Sequence, residues 1–290
     1  MRTTRLNRLP DQARGRQGVP GVENETRNET EVSMTRVRNT EHNKKPSFHA
    51  SAHCRRRDLE IFEAAGLKWW DPSGPMAGLH MLNPLRSQYF HERLAQAGAQ
   101  SVLELGCGGG ILTSSLEDGP WNLIAQDLLH GPLVAALPHL KHASLLRCDA
   151  AQLPFRKNSF DAVLSSDFLE HVTDLRAVVT EMARVLRPGG LFLYETVNRT
   201  LLTFLIGKVL LEWVLHYIPV GTHRFRDFIR PEELHALMKK NNIRNTEIFG
   251  VVPERGLLRS LLTRRRHPFR LEPRQLSGMY LGCGQMGLRS

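Results

Sequence analysis

The segment Ser159-Phe-Asp-Ala-Val-Leu-Ser-Ser-Asp-Phe-Leu-Glu-His-Val172 gathers the most reactive side chains of the chain: Asp167, Glu170 and His171. At i, i+3 and i+4 they share one face of a helical turn. Two carboxylates and an imidazole suit a hard divalent ion such as Mg2+ or Mn2+, and less specifically Zn2+. Such an ion would hold two adjacent phenolic oxygens and lower an acceptor's pKa from the ~10 of a phenol. The same Leu-Glu-His also closes strands in metal-free folds. On spacing alone the two readings stand level.

A second constellation lies upstream, in Val102-Leu-Glu-Leu-Gly-Cys-Gly-Gly-Gly110. An apolar strand carrying Glu104 runs into a loop with glycines at 106, 108, 109 and 110. Glycine has no Cβ and tolerates positive φ, so such a loop admits a nucleotide-like ligand close to its backbone. The apolar run Leu123-Ile124-Ala125 then ends near Asp127, about 20 residues past the first glycine, where nucleotide folds place a ribose-binding carboxylate. The glycine pattern is not that of a pyrophosphate site, and no P-loop lysine follows. S-adenosylmethionine is therefore favoured over NAD or ATP. Methyl transfer from a sulfonium is an in-line displacement, for which the protein aligns and deprotonates the acceptor and holds the donor. In this reading Gly106 and Gly108 face the methionine end, Asp127 the ribose and Asp149 the adenine amino group. Asp149 as a helix cap and Asp127 as a turn residue are each equally good alone. Together, at successive strand ends, they favour a site.

These side chains need a scaffold. Strands are expected at 101–105, 122–126, 144–148, 160–165, 190–196 and 246–251, with a seventh near 278–283. Helices are expected at about 56–65, 85–97, 109–117, 131–137, 168–170, 174–187 and 231–240. Pro84 would open the second of these, with Asn83 as its N-cap. Arg187-Pro-Gly-Gly190 would end a helix sharply. Alternating strands and helices predict an α/β fold with a doubly wound, mostly parallel, seven-stranded sheet. Leu201 to Pro219 stands apart as an apolar helix with one polar stripe, Lys208, Glu212 and His216. It is too short and charged to span a bilayer, which takes about 20 apolar residues. It is either a core helix of a substrate cap or an interfacial helix.

The chain has 290 residues and a formal charge of +10. Residues 1–57 contribute 13 basic and 6 acidic side chains, and residues 254–274 contribute 7 arginines against 2 glutamates. The remaining body is slightly acidic, which argues against a nucleic-acid groove built into the fold. Four scattered cysteines without a CxxC pair indicate neither a zinc site nor a disulfide framework, and favour a reducing compartment. Residues 1–57 are expected to be a disordered basic segment, and 58–290 the catalytic domain, with an insertion at 199–230. Five arginines and one acid in the first 22 residues faintly resemble a mitochondrial transit peptide. A start at Met34 is the preferred alternative.

The motifs Trp69-Trp-Asp-Pro, Leu79-His-Met-Leu-Asn-Pro-Leu-Arg86, Leu105-Gly-Cys-Gly-Gly-Gly-Ile-Leu112 and Phe168-Leu-Glu-His-Val172 belong together. With Asn198-Arg199 and Gly221-Thr-His-Arg-Phe-Arg-Asp-Phe-Ile-Arg-Pro-Glu-Glu-Leu234, they resemble the ubiquinone-biosynthesis O-methyltransferase family. The resemblance covers roughly residues 58–253. It implies a Rossmann-like class I methyltransferase fold, S-adenosylmethionine as cofactor, Mg2+ as a second group, and a prenylated phenol or quinol as substrate. Another lipid or phenolic acceptor is the alternative. By resemblance Arg86 contacts the cofactor's carboxylate, Gly106 and Asp127 its methionine and ribose portions, and Ser166 packs near the adenosyl group. The family's metal triad is Glu-x-x-Glu-His, and here Asp167 is its shorter first member. Ser166 replaces an apolar residue. His223 falls in the matched Gly-Thr-His motif and is assigned to the acceptor pocket, with a helix-capping or core role as plausible. Catalytic roles fall to His171, Glu170 and His223. The resemblance also implies peripheral contact with membrane lipid, through 201–218 and the basic tails, and association with a ubiquinone-biosynthesis complex. The location would be intracellular, on the cytoplasmic face of a bacterial inner membrane or the matrix side of a mitochondrial one.

Overall fold

The computed structural model describes residues 37–39, 56–206, 224–254 and 269–288. His223, most of the apolar 201–219 segment, and nearly all of residues 1–57 lie outside them. A short strand β1 (Val37–Asn39) precedes the helix α1 (Arg56–Ala65), a 3-10 turn at Gly66–Trp70 and the long helix α2 (Ala77–Gln96). There follow β2 (Ser101–Leu105), α3 (Ile111–Leu116), β3 (Asn122–Asp127), α4 (His130–Ala136), β4 (Ser144–Arg147) and β5 (Phe160–Ser166). The chain continues through α5 (Leu175–Val185), β6 (Leu186–Val197), a single turn α6 (Leu201–Thr203), α7 (Pro231–Lys240), β7 (Ile243–Pro253), β8 (Phe269–Glu272) and β9 (Met279–Met286).

The strands form one sheet in the order β1-β4-β3-β2-β5-β6-β9-β7-β8. Pairings from β1 through β6 are parallel, whereas β9 joins β6 and β7 antiparallel, as does β8 with β7. All seven expected strands are present in this mostly parallel sheet. The nine-stranded count corrects the expected seven, because β1 covers the open edge of β4 and β8 that of β7. Open edges invite such additions, since their main-chain N–H and C=O groups lack partners. β1 also falls within a stretch expected to be without structure.

Alternation along the central strands explains the double winding. Val102, Ala162 and Leu164 point into one core with Tyr89, Phe90 and Leu94 of α2 and Leu133 of α4. Leu103, Leu105 and Val163 point to the other side, against Val178, Val179 and Met182 of α5 and Leu234 and Met238 of α7. A sheet buried on both faces is what a parallel arrangement requires. The chain moves outward from β2 to β4, then returns to start β5 on the other side of β2. The carboxyl ends of β2 and β5 therefore flank a switch point, where open α/β sheets bind ligands.

Two expectations about helices fail informatively. α2 starts at Ala77, with Pro84 inside it. Proline removes an N–H that would bond four residues back and crowds the carbonyl there, costs that this 20-residue helix absorbs. Asn83 is therefore no cap: its amide donates to the Ile111 carbonyl at 3.2 Å and to Ser115 Oγ at 2.8 Å, fastening α2 to α3. α5 ends at Val185, and Arg187-Pro-Gly-Gly190 belongs to the irregular start of β6, where its register with β5 shifts.

Far from the switch point, Glu117 closes the loop before β4. Its carboxylate accepts from the N–H groups of Lys141, His142 and Ala143 at 2.6–3.0 Å. Partial burial opposes its charge, but the N–H groups of Ala143, Lys141 and His142 outweigh this and hold it below the usual glutamate value. A depressed carboxylate stabilises the fold above its unfolded pKa, and this stability is lost as pH falls through the folded one. Glu117→Gln is expected to cost about 1–2 kcal/mol at neutral pH. Urea unfolding at pH 7 and pH 3 should show the difference shrinking at the lower pH.

Candidate active site

A cavity of about 380 Å³ opens at the switch point. Its polar wall is built by Arg86, Glu104, Asp127, Ser166, Asp167 and His171, and its floor by Gly106 and Gly108. The remaining lining is mostly apolar, with Trp69, Phe168, Val251 and Met279 among its members.

The glycine loop follows from local constraints. Gly106, Gly108 and Gly110 have φ of 66°, 54° and 75°. A Cβ on Gly106 would lie 2.2 Å from the Phe168 ring, and one on Gly108 would lie 2.5 Å from the Trp69 ring. The glycines thus admit two of the chain's own aromatic rings as well as a ligand. Trp70 Nε1 donates to the Gly109 carbonyl at 2.8 Å, tying the 3-10 turn of Trp69 and Trp70 to the loop. Two side chains at the end of β3 hold the loop open. Gln126 Oε1 accepts from Gly106 N–H at 3.3 Å. Asp127 accepts from Gly108 N–H at 2.9 Å and from Leu129 N–H at 2.8 Å. Burial pushes the Asp127 carboxyl above the ordinary aspartate value, while those N–H groups pull it back. Each carboxylate oxygen keeps a second acceptor site, so Asp127 retains capacity for a ligand's hydroxyls. Glu104 accepts from Thr113 Oγ1 at 2.7 Å, and burial raises its carboxyl to about 7.

The opposite wall is a charge cluster. Arg86 Nη1 lies 2.6 Å from Asp167, 3.0 Å from Ser166 Oγ and 3.3 Å from Glu195. Its Nε donates to Asn83 Oδ1 at 3.3 Å and its Nη2 to the Leu79 carbonyl at 3.4 Å. Among the described residues, one N–H on Nη2 has no acceptor. Glu195, on β6, also accepts from Ser166 Oγ at 2.5 Å. Burial and the neighbouring Asp167 raise its carboxyl to about 7, against the pull of Arg86.

Asp167, Glu170 and His171 do not assemble as the spacing implied. Among the described residues no group of three His, Cys, Asp or Glu side chains is placed to hold a metal ion. The segment after β5 is a 3-10 turn, Leu169–His171, and Asp167 precedes it with φ of 47°. Its short carboxylate goes to Arg86, whereas Glu170 accepts from Thr196 Oγ1 at 2.8 Å in the interior. His171 borders the cavity, edge-on to Phe62 with ring centroids 5.1 Å apart. These donors do not fit Mg2+ as they stand. Asp149 is likewise outside the cavity lining. It accepts from Ala151 N–H at 2.9 Å and closes a turn, so it caps no helix either. Glu195 and Gln126 were not identified from the sequence, and Trp69 and Phe168 appeared only within motifs, without a place in the site. The only signal for Glu195 was a lone acid in the apolar run of β6.

A glycine turn leaving β2, with an acid at the end of the adjacent β3 and a cavity over the switch point, defines an S-adenosylmethionine-dependent methyltransferase of class I. A family model described as a methyltransferase domain matches residues 103–194. Solved structures support the fold. A Thermotoga maritima S-adenosylmethionine-dependent methyltransferase aligns with TM-score 0.50 at 19% identity, over 71% of this chain and 98% of its own. A chain of the complex between the Haloferax volcanii Trm112 methyltransferase activator and its methyltransferase aligns with TM-score 0.56 at 19% identity, over 78% and 97%. Sequence relatives are more specific. The ubiquinone biosynthesis O-methyltransferase of Xylella fastidiosa strain M23 is 36% identical over 220 residues, covering 74% of this chain and 89% of the relative. That of Xanthomonas oryzae pv. oryzae strain PXO99A is 36% identical over 225 residues, covering 74% and 92%. The chain belongs to the ubiquinone-biosynthesis O-methyltransferase family.

Proposed function

We propose that this methyltransferase moves the methyl group of S-adenosylmethionine to a phenolic oxygen of a polyprenylated catechol or quinol in ubiquinone biosynthesis. The observation that carries the reading is 36% identity to relatives of that name over most of both chains. The cavity supports it, because charged groups line one wall and apolar side chains the rest. Asp127 would bind the ribose hydroxyls, the loop at Gly106 and Gly108 the methionine portion, and the free N–H of Arg86 the methionine carboxylate. His171 would accept the phenolic proton, with Glu170 beside it countering the charge. The oxygen then attacks the methyl carbon in line, and the C–S bond breaks with its electron pair moving to sulfur. The products are a methyl ether and S-adenosylhomocysteine.

The enzyme would work at a membrane surface, inside the cell, where such acceptors reside. Leu201, Leu202 and Leu205 support this, since they are exposed at the start of the inserted segment. Among the described residues no helix is long and apolar enough to cross a membrane. Membership of a biosynthetic complex belongs to the same proposal.

The test is the product. Purified protein, deuterated-methyl S-adenosylmethionine and demethylubiquinol analogues are expected to give a methyl ether whose mass carries the label. Donor binding without label transfer to any quinol or catechol would overturn the acceptor assignment.

A further inference from the structure

Among the described residues the charge around the cavity is unbalanced: the carboxylates Glu104, Asp127 and Asp167 line it, and Arg86 is its only Lys or Arg. Glu195 lies behind that arginine, 1% exposed, and shares it with Asp167. Arg86 is thus claimed by two carboxylates, and among the described residues the cluster is one cation short. A buried carboxylate without full compensation is costly. The rise of the Glu195 carboxyl to about 7, from burial and from Asp167, expresses that cost.

Two neighbouring side chains serve this arrangement. Ser166 donates its hydroxyl proton to Glu195, and Asp167, one methylene shorter than glutamate, turns to Arg86. The extra negative charge is therefore built in and held by hydrogen bonds.

The methyl donor is a cation at its reacting atom. Its sulfonium and ammonium outweigh its carboxylate by one unit, whereas the demethylated product is a neutral thioether with no net charge. The two ligands are otherwise nearly the same shape. We propose that Glu195 is a specificity-determining residue that makes the cavity prefer the sulfonium donor over its thioether product. The surplus negative charge lowers the energy of the bound sulfonium. When the methyl group leaves, that attraction ends and the product is held less firmly. Glu195 touches neither ligand; it acts through the field that it shares with Arg86 and Asp167. The inference rests on the cavity being the donor site.

Calorimetry on the full chain at pH 8 tests it. S-adenosylmethionine, S-adenosylhomocysteine and sinefungin, whose amine replaces the sulfonium, are titrated into the wild type and variants. Glu195→Gln is expected to lower the preference for donor over product by about tenfold, the scale of one unit charge about 12 Å away at an effective dielectric near 20. Sinefungin should follow the donor. Glu195→Asp keeps the charge and should keep the preference. Asp167→Asn removes the other carboxylate on Arg86 and should also lower it, which secures the test if Glu195→Gln fails to fold. Equal weakening of all three ligands, or an unchanged ratio in every folded variant, would overturn the proposal. Wild-type protein that binds none of them would instead overturn the donor site itself.

Discussion

Replacing His171 with alanine is expected to lower turnover by about 10²–10⁴-fold, the usual contribution of a general base, while donor affinity changes little. A phenolic oxygen with its proton in place is a poor nucleophile, since phenols ionise near ~10. Some group at the cavity wall must take that proton as the oxygen closes on the methyl carbon. His171 is 6% exposed and borders the cavity, while Phe62 stands edge-on to its ring. The neighbouring Glu170 is buried against Thr196, and burial raises its carboxyl to about 7, with His171 pulling it down. Glu170→Gln keeps an acceptor for Thr196 but removes the countercharge, so its effect should be a smaller loss of the same sign. Stopped-flow methyl transfer at saturating donor, with calorimetric donor affinities, separates chemistry from binding. A His171→Ala enzyme that turns over within a few-fold of wild type would remove histidine from the chemistry.

The placing of the glycine loop and Asp127 at one cavity was legible because it is local. A glycine loop follows its strand directly, and Asp127 ends the next strand in register with it, so both lie within some 25 residues. The same local logic went wrong wherever the backbone left its default. The i, i+3, i+4 spacing of Asp167, Glu170 and His171 presupposes a helical phase, but Asp167 sits at positive φ ahead of a short 3-10 turn. Its carboxylate then finds Arg86, 81 residues away in sequence. Glu195 was invisible for a related reason: its partner lies 109 residues away, and its own strand reads as apolar core. Pro84 misled because a proline inside a long helix and one at its first turn look alike in sequence. Asn83 settles the matter only through its bonds to α3. The sheet was recoverable from alternation, whereas its edge strands were not. Three or four residues of β1 and β8 carry too little pattern to register.

Substituting Gly106 with alanine is expected to destabilise the protein by about 3 kcal/mol, combining backbone strain and overpacking. Two separate costs meet at this position. Its φ of 66° is left-handed, a region where an L-residue pays about 1–2 kcal/mol. The added Cβ would also fall 2.2 Å from Cδ2 and 2.4 Å from Cγ of Phe168, so the ring must move. That ring follows directly on Asp167, and its displacement carries the Arg86 cluster with it. Loss of stability should therefore be accompanied by weaker donor binding. The double variant Gly106→Ala/Phe168→Ala separates the terms, because it clears the ring and leaves the φ strain. In a Phe168→Ala background the glycine substitution is expected to cost only about 1–2 kcal/mol, the left-handed penalty alone. Chemical unfolding of the four proteins gives the coupling energy. If Gly106→Ala costs as much without the ring as with it, Phe168 is no obstacle there, and the loop's glycine answers to the backbone alone.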